Sequence, residues 1–268
     1  IREASSQYFS YLFEYDIDLM TFYQPVDCGD VPIVTGNNDR SHEYIYQYVT
    51  EILEGGAKVI FVGGDHSAPI PAARALSDFH KNGSIGYMHI DCHLDTAPDW
   101  GGVVNTNCSP VSRLLDLHNC SAKNICHMGS RNALNPKDWF DFFTDSGAHL
   151  IPMMQFVERG VDECTHEIFR KAWDGTTGIY TSWDTDSLDA SCMPGTTAPE
   201  CFGIKSREAL RIAQIAGMYG TDIFEVSELS PQFDVSMMSS KLACMMIYHY
   251  LGSRAKTLLN QGLTASDL

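Results

Sequence analysis

Short runs of apolar, often β-branched residues alternate along the chain with longer stretches in which apolar residues recur every three to four positions. The short runs predict strands, and the longer stretches predict amphipathic helices. Strands are predicted at 58–64, 84–91, 124–130, 149–153, 178–186 and 222–229. Helices are predicted at 41–56, 69–83, 161–175, 206–220 and 236–252. Such alternation predicts a mostly parallel sheet with helices on both faces.

The first residues carry a pattern that seldom opens a protein. Phe9, Leu12 and Phe13 follow helical spacing in the segment IREASSQYFSYLF, and the chain starts at Ile1 rather than at Met. We therefore expect an upstream N-terminal segment that this chain lacks. No internal repeat, low-complexity linker or shift in composition divides residues 1–268, so we expect a single domain.

Composition narrows the class of protein. The 268 residues include 34 acidic and 18 basic side chains, for a formal net charge of −16. This balance argues against partners such as nucleic acid or an anionic membrane, which require a basic surface. No apolar run approaches the roughly 20 residues that span a bilayer. The nine cysteines form no spaced framework, which favours reduced thiols in a cytoplasmic protein.

Polar side chains gather where three of the predicted strands end. Six of them are of metal-binding type: His66, Asp91, His93, Asp95, Asp184 and Asp186. If the backbone stays extended, alternate residues such as Asp91, His93 and Asp95 point the same way. Four buried carboxylates would repel one another unless cations held them. Mixed imidazole and carboxylate ligands suit Mn, Ni, Fe, Co or Zn, and two such ions can share an activated hydroxide.

These segments resemble the three signatures of the ureohydrolase family, the arginase and agmatinase group. The chain reads GGDHS at 63–67, DCHLD at 91–95 and SWDTDSLDASCMPGT at 182–196. The likeness extends from Ile1 to about Gly252, nearly the whole chain. It implies the fold of that family, a three-layer α/β/α sandwich around a mostly parallel sheet.

The resemblance also implies a site with two divalent metal ions, Mn or Ni. One ion would be bound by His66, Asp91, Asp95 and Asp184, and the other by Asp91, His93, Asp184 and Asp186. Asp95 would also orient a hydroxide that bridges the ions. Glu225 would bind the guanidinium group of a small cationic guanidino substrate. The implied reaction is hydrolysis of a C–N bond of that group by the bridging hydroxide.

Some residues depart from the common family pattern. Asn107 occupies the position of a usual histidine, and Asn105, Thr106 and Asn107 can donate hydrogen bonds to a substrate. We interpret His118 and His127 as structural. The segment 225–243, with the Thr106-Asn107 pair, is similar to the branch that acts on guanidine and small alkylated guanidines or biguanides, where nickel is an alternative to manganese.

We therefore favour hydrolysis of a small guanidine or a biguanide such as metformin. Three alternatives stay open at this point: an agmatinase or guanidino-acid hydrolase, a formimino-hydrolase, and a non-catalytic scaffold subunit of a ureohydrolase complex. Full retention of the six metal-binding residues favours an active enzyme. By resemblance, we expect a homo-oligomer (a trimer or hexamer) or a hetero-oligomer with a homologous subunit.

Overall fold

The computed structural model describes residues 1–267. Its α-helices are α1 Arg2–Ser5, α2 Leu19–Phe22, α3 Asn38–Glu54, α4 Pro69–Phe79, α5 Pro110–Leu115, α6 Lys137–Ser146, α7 Met153–Arg159, α8 Val161–Trp173, α9 Ser206–Tyr219 and α10 Met238–Asn260. Its strands are β1 Tyr11–Leu12, β2 Ile17–Asp18, β3 Val59–Val62, β4 Ile85–Ile90, β5 Cys120–Met128, β6 His149–Ile151, β7 Gly178–Asp184 and β8 Ile223–Ser227. Short 3₁₀ turns lie at Thr185–Ser187, Pro231–Phe233, Val235–Met237 and Ala265–Asp267.

Six strands form one sheet in the order β3-β8-β7-β4-β5-β6, and every neighbouring pair is parallel. Parallel strands all end at the same edge, where loops connect each strand to the following helix. The central strands β4 and β7 are buried along their whole length. This burial explains their almost continuous apolar sequence, because both faces of a parallel sheet are covered.

Two separate cores cover the two faces of the sheet. On one face, Met88 and Ile90 of β4 pack in a cluster with Phe169 of α8 and Ile212 of α9. On the other face, Tyr87 belongs to a cluster that includes residues of α3, α4, α5 and α6. Adjacent residues of β4 thus enter opposite cores, as strand geometry requires. The result is the predicted three-layer α/β/α sandwich.

The N-terminal pattern folds differently from its helical spacing. Helix α1 ends at Ser5, and Leu12 lies instead in a two-stranded antiparallel hairpin. Leu12 packs in a small third core with Leu19, whereas Phe9 and Phe13 are 88% and 83% exposed. The helical spacing of these residues therefore does not correspond to a helix, because hairpin pairing buries Leu12 without burying the neighbouring aromatic residues.

Element boundaries also differ in places. Strand β5 starts at Cys120 rather than at 124, and α10 continues to Asn260 rather than ending at 252. Helices α5, α6 and α7 were not predicted from the pattern. The nine cysteines, all within residues 1–267, are free thiols, as expected. Among the described helices, none combines the length and apolar character needed to cross a membrane.

Candidate metal centre

Strand register brings the first candidate ligands together. Ile90 of β4 pairs with Trp183 of β7, so Asp91 and Asp184 follow at the same level of neighbouring strands. Both carboxylates are at least 97% buried, as are His66 and Asp186. The carboxyl edge of the sheet therefore carries a buried, concentrated set of acids and imidazoles. Such a set requires cations or protons to be stable.

Tight turns, not extended strands, complete the convergence. Strand β4 ends at Ile90, and Asp91 Oδ1 accepts the His93 backbone N–H at 2.6 Å. Asp184 Oδ1 accepts the Asp186 backbone N–H at 2.7 Å in the same way. The expectation that an extended backbone aligns these side chains is thus wrong. Aspartate side chains that bond their own backbone two residues later produce local turns instead.

The first group of ligand atoms surrounds His66. Its Nδ1 atom lies 2.9 Å from Asp91 Oδ2, 2.9 Å from Asp95 Oδ2 and 3.3 Å from Asp184 Oδ2. Despite these distances, His66 Nδ1 and Asp91 Oδ2 are buried without a hydrogen bond of acceptable geometry. Ligand atoms about 2.1 Å from one ion are spaced roughly 3 Å apart. The spacing and the missing hydrogen bonds both fit a metal ion among these atoms.

A second group adjoins the first. His93 Nδ1 lies 3.0 Å from Asp186 Oδ2 and 3.5 Å from Asp91 Oδ1. Ligand atoms of Asp91, His93 and Asp186 lie within 4.8 Å of one another, and so do those of His66, His89, Asp91 and Asp95. Asp91 belongs to both groups, one oxygen facing each. The arrangement fits two neighbouring ions that share this carboxylate.

A relay of hydrogen bonds fixes the imidazole of His66. The Ser182 hydroxyl donates its proton to Glu225 Oε2 at 2.8 Å, so the contact of 2.8 Å between Ser182 Oγ and His66 Nε2 needs a proton from the histidine. His66 is then protonated on Nε2, and a metal ion can take the place of a proton on Nδ1, which lies 2.9 Å from Asp91 Oδ2 and from Asp95 Oδ2. This is the tautomer that a metal ligand requires.

Glu225 lies at the base of the site, fully buried. Its Oε2 atom accepts hydrogen bonds from Tyr180 at 2.9 Å and from Ser182, while Oε1 is buried without any partner. A Cβ atom on Gly63 would lie 3.1 Å from that free oxygen, so glycine leaves room beside it. A buried carboxylate oxygen with no donor is costly unless a ligand supplies one.

The acids of the centre are hard to ionise without a counter-ion. Burial, reinforced by the charge of Asp91, raises the pKa of Asp95 to about 7 and that of Asp186 to about 6. Burial likewise raises the pKa of Glu225 to about 7. Divalent cations and a guanidinium group would both relieve this penalty, because each is an opposite charge placed inside the site.

Comparison with known proteins identifies the family. A model of the arginase family matches residues 1–252. The chain belongs to the arginase family. It is 30% identical over 228 residues to guanidinopropionase of Pseudomonas aeruginosa, an alignment that covers 84% of this chain and 70% of that enzyme. It is 28% identical over 230 residues to proclavaminate amidinohydrolase of Streptomyces clavuligerus, covering 84% of this chain and 72% of that one.

Solved structures of the arginase family share the fold. The structure of the Streptomyces clavuligerus amidinohydrolase superposes with a TM-score of 0.86 at 25% identity, covering 96% of this chain and 84% of that one. Formiminoglutamase of Trypanosoma cruzi, solved with Mn²⁺, superposes with a TM-score of 0.83 at 23% identity, covering 91% and 80%. The chain is thus an arginase-family hydrolase that acts on C–N bonds of linear amidines and carries metal-binding residues.

Residues that the sequence reasoning missed hold this arginase-family site in shape. Arg131 donates to several backbone carbonyl groups, including those of Asp186 and Leu188. Glu228 accepts the His66 backbone N–H and the Thr197 hydroxyl, both at 2.8 Å. Arg131 follows the end of β5 and Glu228 follows the end of β8. A search for polar residues after every strand, rather than after three of them, would have found both.

The loop at 105–107 is only partly available to a substrate. The Asn105 side chain donates to Asp39 at 3.1 Å, and the Thr106 hydroxyl contacts Ser109 within its own loop. Asn107 is exposed, and its side chain has only a weak thiol contact, 3.8 Å from Cys108 Sγ. Of the three predicted substrate-binding residues, Asn107 has the side chain with the weakest contacts to the rest of the protein.

The segment 225–243, which resembles the guanidine branch, includes residues that stabilise the local structure. Asp234 caps α10, accepting the backbone N–H groups of Ser239 at 2.8 Å and Ser240 at 3.0 Å. Ser239 Oγ in turn accepts the Gly195 N–H, and Gly195 O accepts the Ser230 N–H, each at 2.8 Å. These bonds tie the Pro-Gly-Thr loop, which begins at Pro194, to the start of α10. Trp183 is a fully buried core residue.

Proposed function

We propose that this chain is a dinuclear metal-dependent hydrolase that cleaves a C–N bond of a small guanidine or biguanide. The observation that carries the proposal is the juxtaposition of two ligand groups that share Asp91 with one buried, unpartnered oxygen of Glu225. The ligand groups fit two divalent cations. The free Glu225 oxygen fits an N–H donor of a planar guanidinium group.

The metal ligands are assigned by the resemblance to the ureohydrolase family. The two groups of ligand atoms contain all of them except Asp184, whose Oδ2 lies 3.3 Å from His66 Nδ1. We assign His66, Asp91, Asp95 and Asp184 to one ion, and Asp91, His93, Asp184 and Asp186 to the other. When bound, the two divalent ions supply an activated hydroxide at neutral pH. Two imidazoles among four carboxylates suit Mn²⁺ or Ni²⁺.

The protein's own groups then position and polarise the substrate. Glu225 Oε1 accepts an N–H of the guanidinium and places its carbon toward the metal ligands. Asp95, whose backbone φ of 51° lies in the left-handed region, turns its carboxylate into the centre and accepts a hydrogen bond from the nucleophile. Both groups act in a buried site, where fixed charges stabilise a developing charge more strongly than in water.

The charges around the centre favour a small cation over a guanidino acid. Burial, followed by the charges of Asp186, Asp91 and Glu228, raises the pKa of Asp184. Within residues 1–267, Arg131 is the only buried lysine or arginine, and it is engaged by backbone carbonyl groups. A carboxylate tail on the substrate would therefore meet repulsion without a built-in cationic partner.

A substrate panel tests this proposal. Metal-loaded protein should hydrolyse guanidine, methylguanidines or a biguanide in preference to guanidinobutyrate and guanidinopropionate, by about 10-fold or more for each uncompensated charge contact. The matched pair is guanidinobutyrate and its neutral amide, which differ only in the tail charge. Agmatine, arginine and formiminoglutamate complete the panel, and the products (urea, ammonia or formamide) identify the bond cleaved.

Each alternative has its own signature in that panel. Equal or faster hydrolysis of guanidinobutyrate would contradict the preference for a small cation while leaving the reaction class intact. Agmatine as the best substrate would identify an agmatinase, and formamide release would identify a formimino-hydrolase. A protein with two bound ions that is inactive until a homologous subunit is added would identify a scaffold or an incomplete enzyme.

A further inference from the structure

The residue that directly follows β8 has a strained backbone. Glu228 has a φ of 61°, which lies in the left-handed region that glutamate seldom adopts, and it is only 8% exposed. A residue keeps such a conformation only where its surroundings compensate for the strain, and residues of this kind concentrate at functional sites. The contacts of Glu228 therefore indicate what its conformation is needed for.

Glu228 holds the GGDHS loop at two points. Its backbone N–H donates to Gly64 O, and its Oε1 atom accepts the backbone N–H of His66, each at 2.8 Å. The loop after β3 is thus bound to the end of β8 on both sides of Asp65. His66 is 1% exposed, so its N–H would lack an acceptor if the carboxylate were removed.

The other carboxylate oxygen bonds to the Pro-Gly-Thr loop. Glu228 Oε2 accepts the Thr197 hydroxyl at 2.8 Å. The same loop also pairs with the chain just after Glu228, through a backbone bridge between Thr196 and Leu229. One side chain therefore joins two loops that are distant in the sequence, and one of these loops carries His66.

A different residue holds the loop at 91–95. The Asn135 side chain donates from Nδ2 to the carbonyl before His93 at 3.0 Å, and its Oδ1 accepts the N–H after His93 at 2.9 Å. Within the part of the chain that the structure describes, Glu228 makes no hydrogen bond to this loop. The two imidazole ligands are thus anchored separately, so the loss of Glu228 should disturb only the ion that His66 binds.

We propose that Glu228 is a positioning residue that holds the GGDHS and Pro-Gly-Thr loops together and so controls the affinity of one ion, the one bound by His66. The carboxylate fixes the His66 backbone, while Ser182 contacts the imidazole at 2.8 Å. Residues that support a ligand in this way typically change metal affinity by about 10- to 100-fold when they are removed. The proposal rests on the proposed function in taking His66 as a ligand of one of two ions.

Amide hydrogen exchange of metal-free protein, followed by NMR, tests the contact itself. The His66 amide should be protected in wild type, and Glu228→Ala should lower that protection by about 10-fold, because the N–H loses its acceptor. Glu228→Gln should restore the protection, since its oxygen can accept from His66 while its amide group donates to the Thr197 hydroxyl. Equal exchange of this amide in wild type and Glu228→Ala would overturn the contact.

Stepwise Mn²⁺ binding tests the selectivity. In titrations of chelated protein, Glu228→Ala should weaken one of the two binding steps by about 10-fold or more and leave the other unaltered. His66→Ala identifies the affected step, because it removes a ligand of that ion alone. Thr197→Val removes only the second partner of the carboxylate and should weaken the same step by a smaller factor. Glu158→Ala, at an exposed glutamate of α7, is the matched control and should leave both steps unaltered.

The outcomes separate this inference from the proposed function. If wild type binds two ions, equal weakening of both steps in Glu228→Ala, or of neither, would overturn the positioning role, and so would equal losses in the Ala and Gln variants. If Glu228→Ala does not fold, Glu228→Gly carries the same test, because glycine adopts a φ of 61° without strain. Failure of wild-type protein to bind two Mn²⁺ or Ni²⁺ ions would instead contradict the proposed metal centre, whatever the exchange of the His66 amide.

Discussion

Asp91→Asn should lose bound metal and catalytic activity together. Asp91 belongs to both groups of ligand atoms, and asparagine replaces a charged oxygen with an amide nitrogen of nearly the same size. Removing a shared ligand should therefore weaken the binding of both ions at once. Several kcal/mol of charge stabilisation depends on them, so kcat/KM should fall by about 10³-fold or more. Elemental analysis of the purified variant, together with steady-state kinetics on the best substrate, measures both effects.

Asp184→Asn should behave in the same way, since Asp184 Oδ2 lies 3.3 Å from His66 Nδ1 while its Oδ1 receives the Asp186 N–H. Asp138→Asn is the matched control, because Asp138 is an exposed aspartate at the start of α6. The control should retain metal and activity. Two ions per chain in Asp91→Asn or Asp184→Asn would show that the assignment of shared ligands is wrong.

Glu225→Gln should leave metal binding unchanged and weaken substrate binding. Glutamine keeps the shape of the side chain and can still accept from Tyr180 and Ser182, but it loses the charge that faces a guanidinium group. A hydrogen bond to a charged group contributes about 1.5–3 kcal/mol, so kcat/KM should fall by roughly 10- to 150-fold. The measurement is kcat/KM on the same substrate, with metal content determined in parallel.

Tyr180→Phe distinguishes the roles of the two carboxylate oxygens of Glu225. The change removes the donor to Oε2 and leaves Oε1 as it is, so its effect on kcat/KM should be smaller than that of Glu225→Gln. Full kcat/KM in Glu225→Gln would sink the role in guanidinium recognition. Loss of metal from Glu225→Gln would instead indicate that Glu225 has a purely structural role, supporting Ser182 and His66.

The sequence predicts the ligands well because each one is close to a strand end. His66, Asp91 and Asp184 follow apolar runs whose pattern is plain, and parallel strands end at one edge. Residues that each lie close to a strand end in the sequence therefore lie close to one another in space. The same reasoning predicts the three layers, since strand and helix alternate along most of the chain.

The residues around the ligands are brought together by strand register, which the sequence alone does not reveal. His89 meets His127 only because β4 and β5 pair at that offset, after an irregularity between Ile85 and Tyr87. A shift of one residue would send His89 to the opposite face. His127 was therefore interpreted only as structural, and His89 was overlooked, although it lies two residues before Asp91.

Local turns also escape a pattern-based prediction. Asp95 adopts a left-handed backbone, which only the loop geometry after β4 reveals. Asn105 and Thr106 look available for a substrate in the sequence, but Asp39 and Ser109 engage them. Polar residues in a loop have several partners within reach, and only tertiary structure decides among them.

The central claim is a centre of two divalent ions that hydrolyses a guanidino C–N bond. The most direct measurement is a titration of chelated wild-type protein with Mn²⁺ or Ni²⁺, in which hydrolysis products and bound metal are followed together. The account predicts that activity appears with metal and saturates at two ions per chain. Full activity in metal-free protein, or saturation at one ion per chain, would contradict it.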